Sequence, residues 1–266
     1  MLARLGGISY FCFQGIKAIG MLLLKHLIFL LLLPAFCYSQ SSILFVGNSI
    51  TYVNDLPAVF DTIARANARS IYIKSVAYPG FSLKNHLNSV LKQTHNPDFM
   101  WRERLSAADT TLPEAVRALK QRQWEYIYLQ DRQSGEDSIE YALKQIRKMA
   151  PDSRIMLFGN YVYQTPESPK NEARRNLKNA KQLEKLCSLI DATLIPANTV
   201  FLEIKRSFPN EVLFDDTMHP TAFGTRIIAL LLYTRMYGES GQPVNRHTLA
   251  MTDRQWLIVC STFGYK

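Results

Sequence analysis

The sequence predicts a three-layer α/β/α sandwich built on a parallel sheet of five strands. Short apolar segments alternate along the chain with longer amphipathic ones. This alternation is typical of parallel sheets, because each crossover between parallel strands needs a helix that then covers the sheet. With 266 residues, 47% of them hydrophobic, the chain can also bury the core of one such domain.

Five short apolar runs have the composition of buried strands. The first ends at Gly47, and the second is followed by the turn signal Tyr-Pro-Gly at 78–80. The predicted strands span residues 42–46, 71–76, 126–129, 155–158 and 192–195.

Six amphipathic segments with helical spacing occupy the intervals. The first has Asp55 as a candidate cap and Pro57 in its first turn, both typical of a helix start. The region 96–108 lacks periodicity, and we expect an inserted loop there. The predicted helices span residues 56–67, 82–91, 113–122, 139–149, 171–189 and 222–237.

Residues 1–39 have the layout of a secretory signal peptide. They contain no Asp or Glu, and Lys25 precedes the apolar run 27–36, which a short polar stretch follows. The run is about ten residues, whereas a spanning helix needs roughly 20. We therefore expect cleavage after Ser39 and an exported domain over residues 40–266, periplasmic or extracellular, without a permanent membrane span.

Two details of this leader qualify the expectation. Met21 stands just ahead of Lys25 and is an alternative start, because the charged region of a signal peptide is normally short. Phe36 precedes Cys37 where lipid-attachment signals want a small residue, which argues against a lipid anchor.

Charge and cysteine content exclude several classes of function. The formal charge is +9, and three of the basic residues lie in the leader, which leaves about 9 − 3 = +6 with mixed signs in most charged segments. Nucleic-acid binding needs a concentrated basic face, so we expect no nucleic-acid partner. Beyond the leader the sequence has only two cysteines, Cys187 and Cys260, and we expect both to be buried thiols. They do not have the spacing of zinc ligands, and we expect neither a metal nor a cofactor.

Four polar segments are predicted to meet at one edge of the sheet. Reactive groups of open parallel sheets collect beyond the carboxyl ends of the strands. Residues 47–49, 79–82 and 130–134 follow the first three strands, and residues 214–220 precede the last long amphipathic helix.

Ser49 and His219 are the candidate nucleophile and base. A serine hydroxyl is a poor nucleophile unless a base takes its proton, and an imidazole suits this near neutral pH. Asp216, three residues before His219, is close enough to accept the Nδ1 proton and leave Nε2 facing the serine. The adjacent Asp215 is the weaker candidate. His86 and His95 have no acidic partner at useful spacing, and we expect surface or loop roles for them.

These segments together resemble the four motif blocks of the SGNH (GDSL-type) hydrolase superfamily. Gly-Asn-Ser at 47–49 matches the first block with Asn for Asp, Gly80 the second, and Asp-Thr-Met-His at 216–219 the fourth. The resemblance covers nearly the whole chain after the leader. It implies a flavodoxin-like parallel sheet and an esterase or deacetylase that acts on acylated carbohydrate or another small ester.

The third block departs from the superfamily pattern. The family has an Asn amide there, whereas this sequence reads Leu-Gln-Asp-Arg-Gln at 129–133, so the resemblance implies that Gln130 or Gln133 completes the oxyanion hole. The other donors would be the backbone N–H groups of Ser49 and Gly80. Asn48 and Asn160 are candidate substrate contacts.

Three other functions compete with the hydrolase hypothesis. The unusual third block supports a catalytically silent carbohydrate-binding protein on the same fold. Nucleotide binding is disfavoured, because no glycine-rich phosphate loop follows a strand. A conventional α/β-hydrolase is disfavoured because it presents its serine in Gly-x-Ser-x-Gly well into the chain, whereas Ser49 follows the first strand. The sequence does not indicate the oligomeric state.

Overall fold

Five parallel strands form one sheet in the order β2-β1-β3-β4-β5. The computed structural model describes residues 41–89, 112–131, 135–162, 168–238, 244 and 246–265. All four strand pairings are parallel, as predicted. The strands are β1 (Ser41–Gly47), β2 (Ile71–Ala77), β3 (Tyr126–Leu129), β4 (Arg154–Phe158) and β5 (Ala192–Ile195).

The helices of the described residues include all six predicted ones. The prediction missed the short helix after β1 and two later helices, and it placed the end of the 82–91 helix three residues too far. The helices are α1 (Ser49–Tyr52), α2 (Leu56–Ala66), α3 (Leu83–Asn88), α4 (Glu114–Gln121), α5 (Glu136–Met149), α6 (Pro169–Ile190), α7 (Ala197–Ser207), α8 (Ala222–Tyr237) and α9 (Asp253–Phe263).

Both faces of the sheet are covered, which makes three layers. Alternate side chains of β1 point to opposite faces, so that Phe45 packs in one core and Leu44 in the other. The first core also takes residues from α2, α7, α8 and α9, and the second takes residues from α3, α4, α5 and α6. The predicted α/β/α sandwich is therefore confirmed.

The strand order sets the position of the site. From β1 the sheet extends to β2 on one side and to β3 on the other, so the loops that leave β1 and β3 diverge and a crevice opens between them at the carboxyl edge. The residues directly after these strands are Asn48 and Gln130.

The expectations for the leader, the inserted loop, a membrane span and the two cysteines have different outcomes. The leader 1–39 and the inserted loop 96–108 lie outside the described residues. Within the part that is described, every helix is too short or too polar to cross a bilayer. Cys187 is a buried free thiol, whereas Cys260 is a free thiol that is only partly buried.

Candidate active site

Ser49, His219 and Asp216 form a continuous chain of hydrogen bonds. Ser49 Oγ lies 2.8 Å from His219 Nε2, and His219 Nδ1 lies 2.6 Å from Asp216 Oδ2. With Nδ1 donating to a carboxylate, Nε2 carries the lone pair that can accept the serine proton. The fold thus brings together residues that are 170 positions apart in the sequence.

The loop that carries His219 is held by contacts within itself. Asp216 Oδ1 accepts hydrogen bonds from the backbone N–H groups of Met218 at 2.6 Å and His219 at 2.7 Å. The loop closes through a bridge between Phe214 and Pro220. The hydrogen bonds from His219 and Met218 lower the pKa of Asp216 to about 2, so its carboxylate is ionised at neutral pH. Its side chain is nevertheless 52% exposed, and that of His219 is 27% exposed.

The loop that carries Ser49 depends on a close approach at Gly47. A Cβ at position 47 would lie 2.1 Å from Thr51 Oγ1 and 3.1 Å from Gln130 Oε1, so only glycine fits without displacing buried groups. Asn48 then caps α1, its Oδ1 accepting from Ile50 N–H at 3.2 Å. Ser49 therefore occupies the first position of a helix that begins at the edge of the sheet.

The Gln130 side chain forms hydrogen bonds with this loop and does not direct an N–H group into the crevice. Its Oε1 accepts from Asn48 N–H at 2.8 Å and from Thr51 Oγ1 at 3.3 Å. Its Nε2 donates to Asp131 O at 2.7 Å and to Asn160 Oδ1 at 3.3 Å. Because the Asn48 N–H must face an acceptor, this orientation of the amide is fixed. Gln130 is fully buried, so its expected role as an oxyanion donor needs correction.

The other residues predicted for the crevice have different positions. Asn160 is buried rather than open to substrate, with Nδ2 bonded to Asp131 O at 2.5 Å. Asn48 is likewise buried, and its Nδ2 donates to Phe81 O at 3.1 Å. Both side chains are engaged in buried or half-buried bonds within the protein, which does not support the expectation that they contact substrate. Gln133 lies outside the described residues.

Gly80 lies in a tight turn next to the Ser49 loop. Phe81 N–H bonds to Tyr78 O at 3.2 Å, and Gly80 has φ +65°, a backbone conformation that glycine adopts at little cost and that follows Pro79 in type II turns. The turn is joined to the Ser49 loop by the bond from Asn48 to Phe81 and by Tyr78 N–H to Gly47 O at 3.1 Å. Within the described ranges, nothing accepts from the backbone N–H groups of Ser49 and Gly80.

Two buried polar residues near the site were missed by the sequence analysis. His86 was expected at the surface but is 2% exposed, and its Nε2 lies 2.7 Å from Gly47 O. Asp131 is also buried, and its Oδ1 accepts from Leu83 N–H at 2.7 Å. The helical spacing of apolar Leu83 with His86 could have indicated that His86 shares the inward face. Among the described residues no group of three His, Cys, Asp or Glu side chains could hold a metal ion.

Comparisons with solved structures identify the fold. A DUF4886 family protein from Bacteroides uniformis is similar over 85% of this chain and 96% of its own, with 16% identity and a TM-score of 0.58. A catalytic mutant of Axe2, an acetylxylan esterase from Geobacillus stearothermophilus, is similar over 74% of this chain and 94% of its own, with 14% identity and a TM-score of 0.51.

A third solved structure gives the same result. LAE5, an alpha/beta hydrolase enzyme from the metagenome of Lake Arreo in Spain, is similar over 74% of this chain and 95% of its own, with 14% identity and a TM-score of 0.51. No protein-family model matches the sequence, and neither does any curated protein. These similarities show that the chain shares the fold of these three proteins, in agreement with the α/β/α sandwich that the sequence predicted.

Proposed function

We propose that this chain is an exported serine hydrolase that cleaves carboxylic esters. The observation that carries the proposal is the hydrogen-bonded series from Ser49 Oγ through His219 to the ionised Asp216, at 2.8 and 2.6 Å. A serine alone is common as a helix cap. A serine bonded to an imidazole that a carboxylate orients is the arrangement that nucleophilic catalysis requires.

The proposed reaction has two halves. Ser49 Oγ attacks the ester carbonyl carbon while His219 Nε2 takes the hydroxyl proton, and that proton then goes to the departing alcohol as the acyl-enzyme forms. Water, deprotonated by the same nitrogen, attacks the acyl-enzyme and releases the acid and the free serine. The backbone N–H groups of Ser49 and Gly80 supply hydrogen bonds to the oxyanion in both halves.

The substrate class we propose is an acylated carbohydrate or another small ester. Its support is the fold shared with an acetylxylan esterase and the exported address that residues 1–39 indicate. We place the mature domain at residues 40–266, in the periplasm or outside the cell.

One observation favours a second candidate, a carbohydrate-binding protein without turnover. Both amide hydrogens of Gln130 are engaged, so within the described residues the third block supplies no side-chain donor to the oxyanion. Losing one such donor typically costs about 10²–10³ in rate. The intact Ser49–His219–Asp216 series nevertheless favours an enzyme, because ligand binding alone does not require an oriented base.

The test is hydrolysis of p-nitrophenyl acetate and of acetylated xylooligosaccharides by the purified chain. We expect turnover in the wild type and a loss of at least about 10³-fold in Ser49→Ala and in His219→Ala. Asp215→Asn is the matched control, since its carboxylate is exposed and lies next to the series without joining it. Equal rates in the wild type and Ser49→Ala would refute the hydrolase, and saturable oligosaccharide binding without turnover would establish the second candidate.

A further inference from the structure

His86 is a buried histidine that takes no part in the proposed proton transfer. It belongs to α3, and its ring packs in a cluster with two aromatic rings that also contact each other, 5.9 Å from that of Tyr78 and 5.1 Å from that of Phe81. Tyr78 and Phe81 are the first and last residues of the turn that carries Gly80. The imidazole therefore packs against the side chains of both residues that flank the Pro79–Gly80 pair.

The same ring contacts the loop that carries the other donor. His86 Nε2 lies 2.7 Å from Gly47 O, and a carbonyl oxygen can only accept, so Nε2 carries the proton. Gly47 O also accepts from Tyr78 N–H at 3.1 Å. One carbonyl, two residues before Ser49, is thus bound both by the Gly80 turn and by the helix that follows it.

The protonation state of His86 suits this role. Burial lowers its pKa to about 4, against smaller opposing effects of the Gly47 carbonyl and the Asp131 carboxylate. The ring is therefore neutral when the proposed base His219 would work, and it donates a hydrogen bond without adding a charge beside the nucleophile.

We propose that His86 is a positioning residue that sets the distance between the backbone N–H groups of Ser49 and Gly80. Its Nε2–H fixes the Gly47 carbonyl, and its ring fixes the turn through Tyr78 and Phe81. The inference rests on the proposed function. An oxyanion is stabilised only if its donors are already in place, and a displacement of about 1 Å can cost about 10²-fold in rate.

The experiment compares three substitutions of His86 that differ in whether the new side chain can donate a hydrogen bond to the Gly47 carbonyl. His86→Leu keeps an apolar side chain but no donor. His86→Gln puts an amide N–H close to the former position of Nε2, whereas His86→Asn is too short to reach Gly47. His247→Leu is the control, because His247 is exposed. For each variant, kcat and KM for p-nitrophenyl acetate are measured per active site titrated with a fluorophosphonate.

We expect kcat to fall about 10- to 100-fold in His86→Leu and His86→Asn, with KM within about twofold of the wild type, because oxyanion contacts act on the transition state. His86→Gln should recover most of the loss. If His86→Leu fails to fold, the contrast between the Gln and Asn variants carries the same test.

Two outcomes would overturn this role while leaving the proposed function intact. In the first, His86→Leu and His86→Asn keep the wild-type kcat while turnover still depends on Ser49. In the second, His86→Gln and His86→Asn lose kcat to the same extent. A wild-type rate no higher than that of Ser49→Ala would instead end the proposed function, and this role with it.

Discussion

The two halves of the candidate site are held in opposite ways. Ser49 sits on a loop whose supports are distant in sequence, since the fully buried Gln130 lies 82 residues from Asn48 and the half-buried Phe81 lies 33 residues from it. His219 sits on an exposed loop in which the Asp216 carboxylate accepts, among the described residues, from groups two and three positions away.

This difference separates catalysis from folding. A buried polar group that loses its partner costs about 1–3 kcal/mol of stability, because its desolvation is no longer compensated. An exposed group can turn to water instead. Substitutions on the Ser49 side should therefore change both stability and rate, whereas substitutions on the His219 side should change the rate alone.

The largest expected effect is that of Asp216→Asn on the rate. The Asn Oδ1 can still accept from Met218 and His219 N–H, but its Nδ2 would face His219 Nδ1 and favour the tautomer with the proton on Nε2. We expect kcat to fall by about 10²–10⁴ with the thermal midpoint unchanged within about 2 °C, as measured by steady-state kinetics and calorimetry.

Asp215→Asn is the matched control for this substitution. It removes a negative charge from the neighbouring exposed position, and we expect kcat and the thermal midpoint to stay near their wild-type values. A large fall of the thermal midpoint in Asp216→Asn would break the comparison, because the His219 loop would then be part of the folding framework.

The next effect is that of Gln130→Met, which should lower both stability and rate. The thioether removes the acceptor for the buried Asn48 N–H and one of the two donors to Asp131 O, which keeps its bond from Asn160 Nδ2. We expect the free energy of unfolding to drop by about 3 kcal/mol and kcat by about 10- to 100-fold as Ser49 shifts. Urea unfolding and hydrolysis assays measure the two.

Gln133→Met decides which glutamine matters. If Gln130 supports the loop while Gln133 supplies the third oxyanion donor, Gln133→Met should lower kcat and leave the unfolding free energy unchanged. A stable Gln130→Met variant with full activity would instead show that the Ser49 loop does not depend on its buried partners.

The sequence predicted the residues of the site better than it predicted their surroundings. Alternating apolar and amphipathic segments located the five strands, and the short Asp-x-x-His spacing suggested a local bond between Asp216 and His219. Such features depend on periodicity and on residues that are close in the chain, so they can be recognised in the sequence alone.

The partners of buried polar groups are not visible in this way. Gln130 was expected to face the crevice, but its amide turns inward, where its oxygen is the acceptor for Asn48 N–H and its nitrogen donates to Asp131 O. His86 was missed for a similar reason, since its partner is a backbone carbonyl 39 residues away. Satisfying buried donors and acceptors is a property of the assembled fold.

A smaller effect is expected when Asn48 is replaced by the Asp that the superfamily resemblance leads one to expect. Asn48 Nδ2 donates to Phe81 O at 3.1 Å, and an ionised carboxylate there would face that carbonyl without a proton to share. The bond between the Ser49 loop and the Gly80 turn would weaken, and we expect kcat to fall about tenfold.

Asn67→Asp is the control for Asn48→Asp. Asn67 Nδ2 also donates to a backbone carbonyl, that of Ile63 at 2.8 Å, but at the end of α2. It should retain the wild-type kcat. If Asn48→Asp were as active as Asn67→Asp, the link between the two loops would not depend on the Asn48 amide.

The last effect concerns the pH dependence of stability and lies below neutral pH. His86 has its pKa lowered from 6.5 to about 4 by burial, so as the pH falls from about 6.5 to about 4 the unfolded chain binds a proton that the folded chain does not. Stability is therefore full above this window and falls across it, by about 3 kcal/mol. Asp216, whose pKa is lowered from 3.8 to about 2, titrates only below this window. Urea unfolding of the wild type and of His86→Gln at several pH values measures the His86 contribution as the difference between their free energies of unfolding. If the two free energies changed with pH in the same way, the loss would belong to other titratable groups.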